Sequence, residues 1–209
     1  MTSPSLSANR LEPLAEDTVG PYYPYSFVDA DRSDLTRLHH GLSVGPQGKP
    51  IILLGRLLDC EGQPVDDALL EFWQANAAGI LRGPDMPDHP QLDPYFDGYG
   101  RLITTLEPFA FKTVKPGAIA AGKGTGARAP HITLTIFSDG ITRLVTQIFF
   151  DDEPEANARD PLLESLPAEL RDRLVARLTS SPSDGPAIYE IAIVMRGAGE
   201  TPFFDDLSS

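Results

Sequence analysis

Arg128-Ala-Pro-His131-Ile-Thr133-Leu-Thr135-Ile-Phe137, followed after Ser138-Asp139-Gly140 by Leu144-Val-Thr-Gln147-Ile-Phe-Phe150, is the stretch that sets the fold class. His131, Thr133 and Thr135 alternate with Ile132, Leu134 and Ile136, the period-two pattern of a strand with two unlike faces. Ser-Asp-Gly reads as a turn, so the two halves pair as a hairpin. A strand with His at i and i+2 brings two imidazoles to one face, a ready metal pair. Here the i+2 position is Thr133, whose neutral hydroxyl is a poor ligand for a transition metal.

Other strands surround this hairpin. Ile51 to Cys60 is a mostly apolar run, Glu61-Gly-Gln-Pro64 turns, and Ala68-Leu-Leu-Glu-Phe-Trp-Gln-Ala75 returns. Arg101 to Leu106 and Phe109 to Thr113 supply two short strands, and Ala187 to Arg196 a last one, with Tyr189, Ile191, Ile193 and Met195 on one face. The spacing of Leu170, Leu174, Val175 and Leu178 predicts one helix over Pro167 to Leu178, ended by Ser180-Ser-Pro182. Many short strands with one late helix indicate an all-β, two-sheet β-sandwich.

The totals exclude several classes. A chain of 209 residues buries a sizeable core as one domain with appendages. Seventeen Lys and Arg stand against thirty Asp and Glu, net −13, which repels nucleic acid and anionic membranes. A lone cysteine, Cys60, rules out an internal disulfide and suits a reducing cytosol. Met1 to Asp17 holds no signal-like apolar segment, and no run approaches the roughly 20 apolar residues that span a bilayer. A soluble, cytoplasmic protein is expected, with residues 1–50 as an arm and loop and residues 51–209 as the β-sandwich domain.

Several loops carry candidate features. Gly20-Pro21-Tyr22-Tyr23-Pro24-Tyr25 is a stiff amphipathic ledge, suited equally to the chain's own core or to a partner. His39-His40 lies in a polar loop and reads as solvated. Arg82 to Tyr99 is long and aperiodic, the mark of a functional or interface loop. Lys115 to Gly126 is glycine-rich but lacks the ending of a phosphate loop. Asp151-Asp-Glu-Pro-Glu reads as a solvated run favouring the N-terminus of a short helix, with a divalent cation as the less favoured reading.

Taken in order, Leu70 to Ala75 with Ala78-Gly79, Asp93-Pro-Tyr-Phe-Asp-Gly-Tyr-Gly-Arg101, Thr113-Val-Lys-Pro-Gly117 and Ala129-Pro-His-Ile132 resemble the intradiol ring-cleavage dioxygenases. Phe149-Phe-Asp-Asp-Glu153, Asn157-Ala158, Asp160-Pro161 and Glu200-Thr-Pro-Phe-Phe204 sharpen the likeness to alpha chains of the branch built from alpha and beta chains. The similarity runs from about Asp17 to Asp205.

The resemblance implies a β-sandwich around a ferric iron held by two Tyr and two His. The matching positions are Leu81, Ile119, His131 and Thr133. Leu and Ile side chains cannot donate to Fe(III), and one imidazole cannot hold that ion against water. The resemblance therefore implies no catalytic residue and no metal on this chain, with Fe(III) bound by the beta chain. His131 is then a buried, hydrogen-bonded relic. Arg128 and Gln147 match residues near the iron of a beta chain, and complete a vestigial pocket with Leu81, Ile119, His131 and Thr133.

Gly20, Pro21 and Tyr22 match an arm that reaches toward the beta chain and walls its substrate pocket. Related alpha chains carry an Arg after the central strand that meets a substrate carboxylate; here Asp139 stands there. At ~4 Å and an effective dielectric of ~20 such a charge interaction is on the order of 4 kcal/mol before solvation offsets it. Either Arg143 supplies the charge, or the beta chain does, or the substrate lacks that carboxylate; Arg143 is the candidate substitute. The implied partners are a beta chain, a protocatechuate-like catechol at the interface, and O2. A stand-alone β-sandwich binding module and an enzyme with another metal are the competing readings; four His in all leave few ways to build the latter.

Overall fold

The computed structural model describes residues 30–37, 44–83, 89–121, 126–140 and 142–205. The body is mostly β: β1 (Pro50–Leu58), β2 (Leu69–Gln74), β3 (Tyr99–Ile103), β4 (Phe109–Val114), β5 (His131–Ser138), β6 (Thr142–Phe150), β7 (Val175–Ser180) and β8 (Ala187–Val194). Three short helices, α1 (Pro154–Asn157), α2 (Pro161–Ser165) and α3 (Ala168–Arg171), lie between β6 and β7. No helix among the described residues is long and apolar enough to cross a membrane.

The strands form one hydrogen-bonded order, β3-β2-β5-β6-β7-β8-β1-β4. Two four-stranded halves meet at β6 and β7, where only Phe149↔Val175 and Phe150↔Ala176 pair. The ends of the order are drawn together by residues 30–35. Leu35 N–H donates to the Lys112 carbonyl of β4 at 2.8 Å, and Arg32 pairs with Asp97 beside β3. Gly100 permits the approach, because a Cβ there would lie 2.6 Å from the Arg32 carbonyl and 2.5 Å from the Phe111 ring. The order is thus nearly closed, like a barrel.

Alternation builds the interior. Ile132, Leu134 and Ile136 of β5 are fully buried, facing Leu70 and Phe72 of β2 and Ile51, Leu53, Phe111 and Tyr189 of the other half. Phe72 and Phe111 stack at 4.1 Å, nearly parallel, while Phe150 meets Tyr189 edge-on at 4.9 Å. Burying each such ring contributes on the order of 2–3 kcal/mol. A smaller cluster of Ala129, Phe149, Leu163 and Leu174 packs the helices against β5 and β6.

One predicted element is corrected. The helix over Pro167 to Leu178 stops early: α3 passes through a 3-10 turn at Asp172–Leu174, and Val175–Ser180 is a strand. Leu170 and Leu174 keep helical spacing, but Val175 and Ala176 extend to pair with Phe149 and Phe150. Leu178 is 36% exposed, so its agreement with the helical period reports no inward face. Pairing with β8 and a bond from Leu178 N–H to Asp151 Oδ1 decide the conformation. Among the described residues there are also three short helices rather than one.

Candidate functional site

The β5–β6 hairpin supplies the centre of the site. Its register sets Thr133 opposite Gln147 and His131 opposite Phe149, and Asp139 and Gly140 turn the chain with φ of 56° and 68°. Just before β5, Arg128 exchanges both backbone hydrogen bonds with Ile119, at 2.9 and 3.0 Å. Ile119 follows the Lys115-Pro116-Gly117 bend. Leu81 follows Gly79, whose backbone is pressed against Ala118. The fold therefore gathers Ile119, Arg128, His131, Thr133 and Gln147, with the loop of Leu81 packed alongside.

A polar chain runs through them. Gln147 donates from its amide to Thr133 Oγ1 at 3.4 Å and accepts from a terminal nitrogen of Arg128. Arg128 Nε donates to Asp160 Oδ2 at 2.9 Å. Asp160 is fully buried. It also accepts from Ala129 N–H at 2.9 Å, and it caps α2 by accepting from Leu162 and Leu163. Asp160 was not anticipated as part of the site. The signal available was Asp-Pro before an apolar pair, a helix start.

His131 is 8% exposed. Its Nδ1 lies 2.7 Å from the Ala129 carbonyl, which can only accept, so the proton sits on Nδ1. The ring packs 5.6 Å from Phe149. Burial pushes its pKa below the ordinary imidazole value, the Arg128 charge pushes it further, and the Ala129 bond and Asp160 oppose them. The imidazole is neutral at physiological pH.

The donor set does not fit ferric iron. Leu81 and Ile119 offer only carbon, Thr133 a neutral hydroxyl, and His131 a single nitrogen. Among the described residues no three His, Cys, Asp or Glu converge on one point.

Arg143 is exposed and stands opposite Phe137, toward the tip of the hairpin. At about 3.4 Å per residue it lies roughly 14 Å along β6 from Gln147, away from these side chains. Gly20, Pro21, Tyr22, His39 and His40 fall outside the described residues.

The acidic run opens α1, as expected, with Glu155 in its first turn, and Asp152 and Glu153 are in addition paired within the chain. Lys115 Nζ lies 2.6 Å from Asp152 and 2.8 Å from Glu153, Tyr189 donates to Asp152 at 2.9 Å, and Lys115 sits over the Phe150 and Tyr189 rings. Burial alone would lower the Lys115 pKa, but the Asp152 and Glu153 bonds outweigh it and raise the net value. Tyr189 is pushed up to about 12 by burial and by its bond to Asp152. The long loop is tied similarly: Asn76 and Asp93 bond backbone groups beside a cleft of about 450 Å³ lined by Gly48, Ala77 and Pro90.

The sequence profile of the dioxygenase family matches residues 18–197, most of the chain. The chain belongs to the dioxygenase family. The intradiol resemblance read from its motifs holds at that level. Among relatives in the family, a protocatechuate 3,4-dioxygenase alpha chain from Burkholderia cepacia is 38% identical, covering 93% of this chain and 98% of the relative. The beta chain from the same organism is 41% identical, covering 91% and 83%. The dioxygenase domain of a dioxygenase–carbohydrate-binding fusion from Streptomyces sp. SirexAA-E shares the fold, with a TM-score of 0.58, 23% identity and coverage of 90% and 100%.

Proposed function

We propose that this chain is the alpha subunit of a protocatechuate 3,4-dioxygenase, an intradiol enzyme that cleaves protocatechuate with O2 to 3-carboxy-cis,cis-muconate. A homologous beta chain carries the Fe(III). The observation behind the reading is the pocket's donor set: one imidazole, with Leu81, Ile119 and Thr133 where donors are needed. Overall identity does not separate the two chain types, since 38% and 41% are nearly equal.

In this reading residues 1–50 contact the beta chain, and Gly20, Pro21, Tyr22 and Arg143 wall its substrate pocket. Residues 51–209 form the sandwich, whose two layers are the four-stranded halves. The assembly works in the cytoplasm. This chain's part in the reaction is shape and positioning at the interface, where small displacements of the substrate change rates strongly.

The test is expression alone and with a beta chain. The isolated chain is expected to be colourless and free of stoichiometric iron, and the co-expressed pair to show tyrosinate-to-iron colour and activity. Stoichiometric iron in the isolated chain overturns the reading. A monomer indifferent to any beta chain would instead identify a stand-alone binding module.

A further inference from the structure

Asp160 lies outside the pocket positions read from the sequence, yet five of those six side chains or their backbones hang from it. Its Oδ2 accepts from Arg128 Nε and from Ala129 N–H, both at 2.9 Å. Through Arg128 it reaches Gln147 and then Thr133, and, along the backbone, Ile119. Through Ala129 it reaches His131, whose Nδ1 bonds that residue's carbonyl. Its other oxygen accepts from Leu162 at 3.0 Å and Leu163 at 3.3 Å, fastening the same carboxylate to α2.

We propose that Asp160, through its charge pair with Arg128, fixes the mutual arrangement of Arg128, His131, Thr133 and Gln147. The Arg128 guanidinium is then neutralised by a carboxylate with no exposure. A buried carboxylate requires donors for both oxygens, and four converge on this one. Arg128 is suited to the task because its planar fork serves Asp160 through Nε and Gln147 through a terminal nitrogen. Removing the cation alone strands a buried charge, which is far costlier than removing both partners.

Three variants of the chain, co-purified with a beta chain, test the proposal: Asp160→Ser, Arg128→Met and the two combined. Serine still caps α2 but is too short to hold Arg128 and Ala129 as well. Hydrogen exchange read by mass spectrometry is expected to rise about tenfold in peptides covering residues 126–133 in Asp160→Ser, with residues 161–166 unchanged. In urea, Arg128→Met should lower the unfolding midpoint, and the combined variant should unfold later than the sum of the two single shifts. Unchanged exchange over residues 126–133, or strictly additive shifts, overturns the proposal. Should Asp160→Ser fail to fold, isosteric Asp160→Asn sets an amide against Arg128, and the same localised rise decides.

Discussion

Gly79 and Ala118 meet backbone to backbone: a Cβ on Gly79 would lie 2.0 Å from the Ala118 carbonyl oxygen. The contact locks the turn after β2 to the bend after β4, and so places Leu81 near Ile119. Gly79 also holds φ at +78°, where side chains other than glycine's are strained. Gly79→Ala should cost about 3 kcal/mol in urea unfolding, with strain and clash acting together. A loss below ~1 kcal/mol would mean the two loops part freely.

Lys115 predicts a bounded pH range of stability. Asp152 is held below its ordinary value of 3.8: burial raises it, but the bonds from Lys115 and Tyr189 prevail. Its contribution is present above the unfolded value and lost as pH falls through the lower folded one. Lys115 is raised above 10.5, so its contribution is full below that pH and lost as pH climbs through the folded value. Tyr189, raised from 10.0 to about 12, adds a loss between those two values. Thermal melts should show a plateau from about pH 5 to 9 with falls below 4 and above 10.

Lys115→Met should flatten the acid fall and cost about 1 kcal/mol at neutral pH. The figure is small because the Asp152 side chain is 32% exposed and solvent screens the pair. Melting curves at pH 3 and 7 check both parts, and an undiminished acid fall would remove Lys115 as the cause.

Thr133→His restores an imidazole two residues from His131, on the same face of β5. Leu81 and Ile119 still offer no donor atom. The iron content of the variant chain, purified alone and assayed by metal analysis, should equal that of the unmodified chain. Stoichiometric Fe(III) would show that other groups complete the site.

Arg143→Ala, in the assembled enzyme, should raise KM for protocatechuate about tenfold while leaving kcat largely unchanged, since a carboxylate contact serves substrate binding. An unchanged KM would assign that charge to the beta chain instead. Arg143 is exposed on this chain, so its effect depends on a second surface approaching it.

Much of the fold was legible because strands announce themselves locally. The alternation in β5, the aromatic run of β2 and the apolar run of β1 each need only their own residues to be read. Val175–Ser180 was misread because Leu174, Val175 and Leu178 satisfy a helical period by accident; its strand exists only because β6 and β8 offer unpaired edges there. The Asp-Pro pair before α2 signalled a helix start, and nothing nearby in sequence said that its carboxylate would serve Arg128.

The amino-acid order by itself determined the side-chain chemistry at the matched positions, since Leu and Ile carry no donor atom and Thr only a neutral hydroxyl, a poor ligand for a transition metal, in any conformation. It also determined the mostly-β body, through side-chain alternation. Only the tertiary structure decided that Arg128 faces Asp160 rather than an incoming anion, and that Asp152 and Glu153 hold Lys115 rather than water. Those partners lie about 30 to 40 residues apart in the chain. Long-range charge pairing follows strand order and loop closure, which no local pattern encodes.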